Sequence, residues 1–369
     1  MIEQEVDITI IGAGVSGLIL ANEITERTNK KVLLLEKKKK FKFDKNLCYW
    51  SIPRNSLTDC ADNRWSEICV LINKNKMIYQ TKGIEYLRIK SSNFYNYFLN
   101  KLNKRKNFNL LLGHSINSVK SLDNEVIIDI GRKEVKSKIC FDSRIENNYS
   151  KNQLLQHFFG VEIIFKKKVS NNVLTLMDIQ NNKKAFNFFY ILPMGENKVF
   201  IESTYFSQNF FKKEKYKNDI NKYLLKNYSG NEYKIKFDEF GIIPMYELRN
   251  LDSKNHIKIG TAGNWVRQST GYSLQNAFEN SKQIVDCIIA GKTPKIKKKY
   301  FLNFLDKTFC KFLINNPEDG ILFFDNFFRK NKLKTIVNFL TNTASLLELA
   351  KIIISLPKFK LIKTAIINK

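Results

Sequence analysis

The chain is poor in the residues that build metal centres and covalent cross-links. Its six cysteines, Cys48, Cys60, Cys69, Cys140, Cys287 and Cys310, form no CxxC pair and no ligand spacing, and no histidine cluster accompanies them. That argues against a metal site or a disulfide framework and points to a reducing compartment. Long uncharged hydrophobic runs are also missing: no stretch of about 18 such residues occurs, so a membrane-spanning helix is not expected. The opening "MIEQEVDITI" carries acids where a secretory signal has its basic region, and a strand pattern starts at once. The expectation is a cytoplasmic protein whose only membrane contact is peripheral. Internal repeats and low-complexity linkers are absent too.

Acidic residues are in deficit. Lys+Arg number 62 against 35 Asp+Glu, a net charge of +27. Such an excess invites an anionic membrane or nucleic acid, or it reflects a composition in which Lys, Asn and Ile abound everywhere. The basic runs, among them "KKKKFK" (37–42), "FKKEKYK" (211–217) and "KIKKKY" (295–300), are spread along the chain. No RRM, KH, zinc-finger or helix-turn-helix signature accompanies them, so no nucleic-acid partner is expected. The 369 residues suggest two or three structural units with ample core.

What is present begins at once. Residues 6–11, "VDITII", run into "GAGVSG", then "LILANEITERT", then "KVLLLEK" at 31–37, which is strand, glycine turn, helix and strand in one βαβ unit. Gly12, Gly14 and Gly17 stand in GxGxxG register. The first permits the tight turn, the second lets a diphosphate approach the backbone at Ala13 and Gly14, and the third lets helix and strand pack closely. Glu36 ends the next strand, 24 positions after Gly12, where a carboxylate accepts from ribose hydroxyls. A second strand and glycine-rich turn, "IGTAGNWVRQSTGYSLQNAFENS" (259–281), comes too late to be the next Rossmann unit. Gly260, Gly263 and Gly271 suit a flavin held from a second side. Between them lie period-two strands, "HFFGVEIIF", "NVLTLMDI", "FNFFYIL" and "KVFIESTYF", read as an inserted antiparallel sheet.

Several of these blocks carry a family resemblance. "DITIIGAGVSGLILA", "FDSR" (141–144), "QHFFGVEI" (156–163), "LMDI" (176–179), "FYILPM" (189–194), "FIEST" (200–204), "EFGIIPM" (239–245) and "GTAGNWVRQSTGYS" (260–273) resemble, in order, the signature blocks of the bacterial-type lycopene β-cyclases. The resemblance covers roughly 6 to 290, and the tail more loosely. It implies an α/β flavoprotein: a Rossmann-like FAD-binding domain of the para-hydroxybenzoate-hydroxylase type, an inserted antiparallel substrate domain and a helical C-terminal region. The expected division assigns 1–60, 91–150 and 255–295 to the FAD-binding domain, 61–90 and 151–254 to the substrate domain, and 296–369 to the basic helical region. It also implies reduced FAD, NAD(P)H as electron source, lycopene and other linear carotenoids as substrates, and other carotenoid-pathway enzymes as candidate partners. The family's essential acid falls on Glu202. Two departures stand out: Thr261 occupies a position where flavin hydroxylases often carry Asp, and "NLCYW" (46–50) matches its block only approximately.

The chemistry explains why a strand would carry Glu202. Protonating a terminal double bond of lycopene gives a tertiary cation; the next double bond attacks it, and loss of a neighbouring proton leaves a β-ring. On a strand, Phe200, Glu202, Thr204 and Phe206 share one face, and an apolar wall raises a carboxyl pKa. Raising an ordinary Glu by ~2 units costs about 2.7 kcal/mol, which a folded domain can offset. Phe188, Phe189, Phe200, Phe206, Tyr49 and Trp50 are candidates to shelter the cation. Asp178 and Glu239 are second-rank acids, and Arg88 and Asp142 are candidates to touch the flavin or hold its loops. "YFLNFLDKTFCKFLI" (300–314) and "LAKIIISLPKFKLIKTAIINK" (349–369) mix apolar positions with lysines, as interfacial helices do. Two competing readings remain at this level: an FAD-dependent monooxygenase or prenyl-chain reductase of the same fold, and a non-catalytic basic protein that binds no flavin.

Overall fold

The computed structural model describes residues 2–131, 133–145, 150, 152–169, 172–180, 185–249 and 251–367. The expected domain joint at 151 and the last two residues of the tail lie outside them. Ile2–Ile11, the helix Val15–Arg27 and Val32–Glu36 form the βαβ unit read from the sequence. The first sheet runs in the order Phe108–Leu112, Val32–Glu36, Ile2–Ile11, Glu134–Asp142, Val126–Asp129, Ser118–Ser121, with His256–Lys258 added beside Glu134–Asp142. The first four strands and His256–Lys258 pair in parallel; the other two pair antiparallel. Side chains alternate across this sheet. Val32 and Leu34 enter a core with the helices Val15–Arg27, Ser91–Leu102 and Leu274–Ile289, whereas Leu33 and Leu35 join Val126 and Ile128 on the opposite face.

A second seven-stranded sheet has the order Tyr233–Pro244, Leu155–Phe165, Lys198–Ser207, Phe186–Pro193, Leu174–Gln180, Glu67–Ile72, Asn75–Gln80. All its neighbours pair antiparallel except Leu174–Gln180 with Glu67–Ile72. Of the span 61–90, only those last two strands join it. Asn63–Trp65 and Tyr86–Lys90 pair instead with Asn46–Trp50 in a three-stranded sheet that carries the "NLCYW" block.

Both faces of the second sheet are covered. Tyr216, Ile220 and Leu224 of the helix Lys213–Asn227 pack on Val199, Ile201 and Tyr205. On the other face, phenylalanines of the tail helices, Phe309 and Phe312 from Tyr300–Asn315 and Phe323 and Phe327 from Gly320–Lys330, pack with Phe186, Phe188, Phe200 and Trp50. Three further helices, Leu333–Leu340, Leu346–Ser355 and Lys358–Ile367, complete the tail. Every residue from Val199 to Phe206 is consequently buried, although a strand normally leaves one face wet. Among the described residues no helix is long and apolar enough to cross a membrane, no cluster of three or more His, Cys, Asp or Glu could hold a metal ion, and all six cysteines are free.

Candidate active site

The glycine turn packs as its spacing predicts. Gly12 has φ +97°, and a methyl group at Gly17 would collide with the Gly12 carbonyl, so these two positions require glycine. Gly14 differs, since a methyl group there would meet nothing within 4 Å. It is the N-cap of Val15–Arg27, with no side-chain cap and no acid in the first turn. Open space above uncapped amides is where a diphosphate sits on a helix dipole. Glu36 is buried at the end of its strand and accepts from the Ala13 N–H at 2.7 Å and the Lys38 N–H at 3.0 Å. It braces the turn through backbone bonds, and its oxygens retain lone pairs for a ribose hydroxyl.

The second glycine-rich turn folds back onto the first. A methyl at Gly260 would lie 3.0 Å from Ser16 Oγ, in the first turn of the helix that follows Gly14, and one at Gly263 would strike the Lys258 carbonyl. Gly271 faces Gln156, whose side-chain oxygen is buried and unpartnered among the described residues. The residues present therefore fit a dinucleotide of FAD type: an anion cradle, a brace with spare acceptor capacity, a close second turn and a buried polar atom lacking a partner.

Gly271 also opens onto a cavity of about 280 Å³, lined by Val15 from the first turn, Tyr49, Trp50, Tyr86, Tyr190, Glu202 and Glu239 among others. The register explains why two carboxyls share it. Gly160 pairs with Glu202 on one neighbouring strand and with Glu239 on the other, so both acids project from one face, about 9.5 Å apart along the hydrogen-bonding direction. Between them Gly160 contributes no side chain, and the Phe200 ring occupies that space; Phe158 lies in the same way over Gly241. The tips of these two rings reach over the glycines and form an aromatic wall between and beside the acids.

Burial, followed by the charge of Glu239, pushes the Glu202 carboxyl up to about 8, against one opposing hydrogen bond from the Thr204 hydroxyl at 2.5 Å. Glu239 is pushed up to about 7, again chiefly by burial, with Asn46 opposing through its backbone N–H at 2.8 Å. Both shifts favour the protonated form, and that of Glu202 is the larger. The cavity thus holds two buried carboxyls, both pushed up by burial, beside aromatic side chains.

The remaining candidates separate cleanly. Asp178 is on the opposite face, accepting from Tyr223 Oη at 2.8 Å and Gln180 Nε2 at 2.9 Å, beyond reach of the cavity. Phe189 stacks on the same Tyr223, and Phe188 and Phe206 pack into the core behind the cavity. Arg88 is buried and donates to Asn46 Oδ1 (2.7 Å), Asn63 Oδ1 (3.1 Å) and Glu162 (3.2 Å). It steadies Asn46, which in turn anchors Glu239. Asp142 is spent on Arg144, Lys258 and His256 at the ends of two parallel strands. Burial alone would raise its pKa; hydrogen bonds from His256 and Arg144 outweigh that and hold it far below the carboxylate range. Sequence reasoning missed Phe158, Tyr86, Tyr190, Gln156 and Gly160. Only the small residue inside "HFFGVEIIF" hinted at one of them, because glycine in a strand marks a close approach.

The signature loop also ties down the tail. Arg267 pairs with Asp306 of Tyr300–Asn315 at 3.1 Å, both buried, lies over the Phe339 ring at 4.1 Å and donates to the Phe339 carbonyl; Ser269 donates to the same Asp306 at 2.6 Å. The helices after 296 are therefore locked to the turn that carries Gly260 and Gly271.

This pair of domains is a flavoprotein fold. A geranylgeranyl bacteriochlorophyll reductase-like protein from Thermoplasma acidophilum superposes with a TM-score of 0.67 at 11% identity, covering 98% of each chain. The flavin-dependent brominase Bmp2 gives 0.63 at 12%, covering 91% of this chain and 93% of its own. At such identities the likeness concerns the fold. The family model described as "Lycopene cyclase protein" matches residues 7–366, and the chain belongs to that family. Among curated relatives, capsanthin/capsorubin synthase of Citrus sinensis is 23% identical over 304 residues, 76% of this chain and 60% of its own. The lycopene beta cyclase of Solanum lycopersicum is 22% identical over 306 residues, 77% of this chain and 60% of its own. The chain thus spans about 60% of the length of the curated relatives it matches.

Proposed function

We propose that the protein is a lycopene β-cyclase, an isomerase that closes the linear ends of lycopene to β-rings, through γ-carotene to β-carotene, with no net redox change. The observation that carries this reading is the cavity against the glycine turn in which Glu202 is buried among aromatic side chains beside a second carboxyl, surroundings that favour its protonated form. A hydroxylase or reductase of this fold has no need of a protonated glutamate at that place.

Glu202 delivers its proton to the terminal double bond, and the electron pair of that bond forms the new C–H bond. The tertiary cation so formed is attacked by the next double bond, closing the six-membered ring. A proton then leaves the neighbouring carbon and returns to the Glu202 carboxylate, so atoms and charge balance over the cycle. Phe158 and Phe200 line the cavity beside the acids; an aromatic face turned to the cation attracts it by about 0.5–2 kcal/mol when desolvated, and the wall keeps out water that would trap it as an alcohol. Gly12, Ala13, Gly14, Gly17 and Glu36 would hold FAD from one side and Gly260, Gly263 and Gly271 from the other. When bound and reduced, with NAD(P)H as electron source, the flavin supplies negative charge that stabilises a cation.

The substrate dissolves only in a bilayer, so the enzyme works as a cytoplasmic, peripheral membrane protein, within reach of the enzymes that make lycopene and use its product. Exposed Tyr300, Leu346, Leu347 and Ile366 on the tail helices, set among lysines, support that placement. The test is anaerobic incubation with reduced FAD, liposomes and lycopene, resolved by chromatography beside Glu202→Gln. Ring formation by the wild type and none by a flavin-loaded variant is the expected result. Consumption of NAD(P)H in step with product, with lycopene left linear, would transfer the reading to a redox enzyme.

A further inference from the structure

A second cavity, of about 400 Å³, lies between the tail helices and the signature loop. Its wall is almost wholly hydrocarbon, with Phe309, Phe323, Phe324 and Ile352 at its centre. The polar groups it does contain are already engaged: Asp306 with Arg267 and Ser269, the Thr308 hydroxyl with the Phe304 carbonyl, and the Thr270 hydroxyl with the Tyr272 N–H. Few hydrogen-bonding groups remain for an occupant of so apolar a wall, which disfavours a nucleotide, a sugar or a carboxylate and suits a hydrocarbon.

Thr270 and Leu340 line this cavity and the acid cavity alike, and one continuous core joins the two. At its far side the second cavity opens through apolar residues that stand in solvent, Phe301 at 51% and Ile354 at 65% exposure. The acid cavity is itself below the 300–1,000 Å³ typical of a pocket that encloses a drug-sized ligand, so it takes one end of a long chain. We propose that the tail-helix cavity binds the trailing part of the linear polyene while the leading end lies at Glu202, and that it is the route by which the chain enters. This rests on the reading of the protein as a carotenoid cyclase.

Ile352→Trp fills the cavity from a residue that does not line the acid cavity, and Phe301→Glu places a charge at the exposed mouth. Each variant is compared with wild type for two probes, lycopene and a shortened linear polyene carrying one acyclic end. Binding is read as polyene absorbance co-eluting with the protein in gel filtration, and cyclisation by chromatography; FAD content and thermal melting report folding. The expected result is at least a tenfold loss of lycopene binding in both variants, with the short polyene bound and cyclised as by wild type. Should Ile352→Trp not fold, the Phe301→Glu comparison decides alone. Equal handling of both probes by folded variants and wild type would overturn the cavity's role. Wild type that binds neither probe would instead overturn the cyclase reading on which the proposal stands.

Discussion

Glu202 and Glu239 show how a residue's function depends on its neighbours' positions. A carboxyl whose folded pKa is raised binds its proton more tightly in the native state than in the unfolded chain. Its contribution is thus neutral below the ordinary value of 4.5 and grows unfavourable as pH rises towards about 8. FAD-free protein should lose stability across that window, and Glu202→Gln should flatten the loss and melt higher than wild type at pH 8, as thermal denaturation at a series of pH values will show. Glu239→Gln acts through Glu202. Removing that negative charge lowers the Glu202 pKa, so the alkaline limb of kcat/KM should move to lower pH, with kcat at acidic pH within tenfold of wild type. A uniform fall at every pH of 10²-fold or more would instead assign Glu239 a direct proton transfer.

At the scale of elements, the central strand pair matters most. Leu155–Phe165 carries Gly160 between the two acids, and that gap is filled by the tip of the Phe200 ring. Gly160→Ala drives a methyl into that ring and should destabilise the fold by about 1–3 kcal/mol, as overpacking does. Denaturant unfolding gives the figure. Combining it with Phe200→Leu should recover most of the stability while leaving cyclisation impaired; a double variant no more stable than Gly160→Ala alone would show that the ring is not what the methyl strikes. The element boundaries were largely legible. The helix read from "LILANEITERT" is Val15–Arg27, and the strand with Glu202 spans Lys198–Ser207 with Phe200 and Phe206 on one core and Val199 and Tyr205 on the other. Helical and strand periodicities are local properties, and short-range spacing records them.

On the scale of the whole molecule, a charge of +27 accompanies exposed apolar residues on the tail helices. The protein should sediment with anionic vesicles and be released by about 0.5 M salt, where the Debye length falls to a few ångströms. Equal binding to neutral vesicles at both salt concentrations would place the attraction in the apolar tail surface alone. The amino-acid sequence by itself determined the βαβ unit, the partnership of Gly12–Gly17 with Glu36, the second glycine turn and the acid strand, because each is written in residues near one another along the chain. Only the tertiary structure decided that Glu239 and not Asp178 shares the face of Glu202, that Arg88 ties three strands together through Asn46, Asn63 and Glu162, that Phe158 belongs to the wall, and that Arg267 and Asp306 seat the tail over a hydrocarbon cavity. Those facts depend on sheet register and on which face each strand presents, and a strand's side-chain alternation states that two faces exist without saying which one meets the cavity.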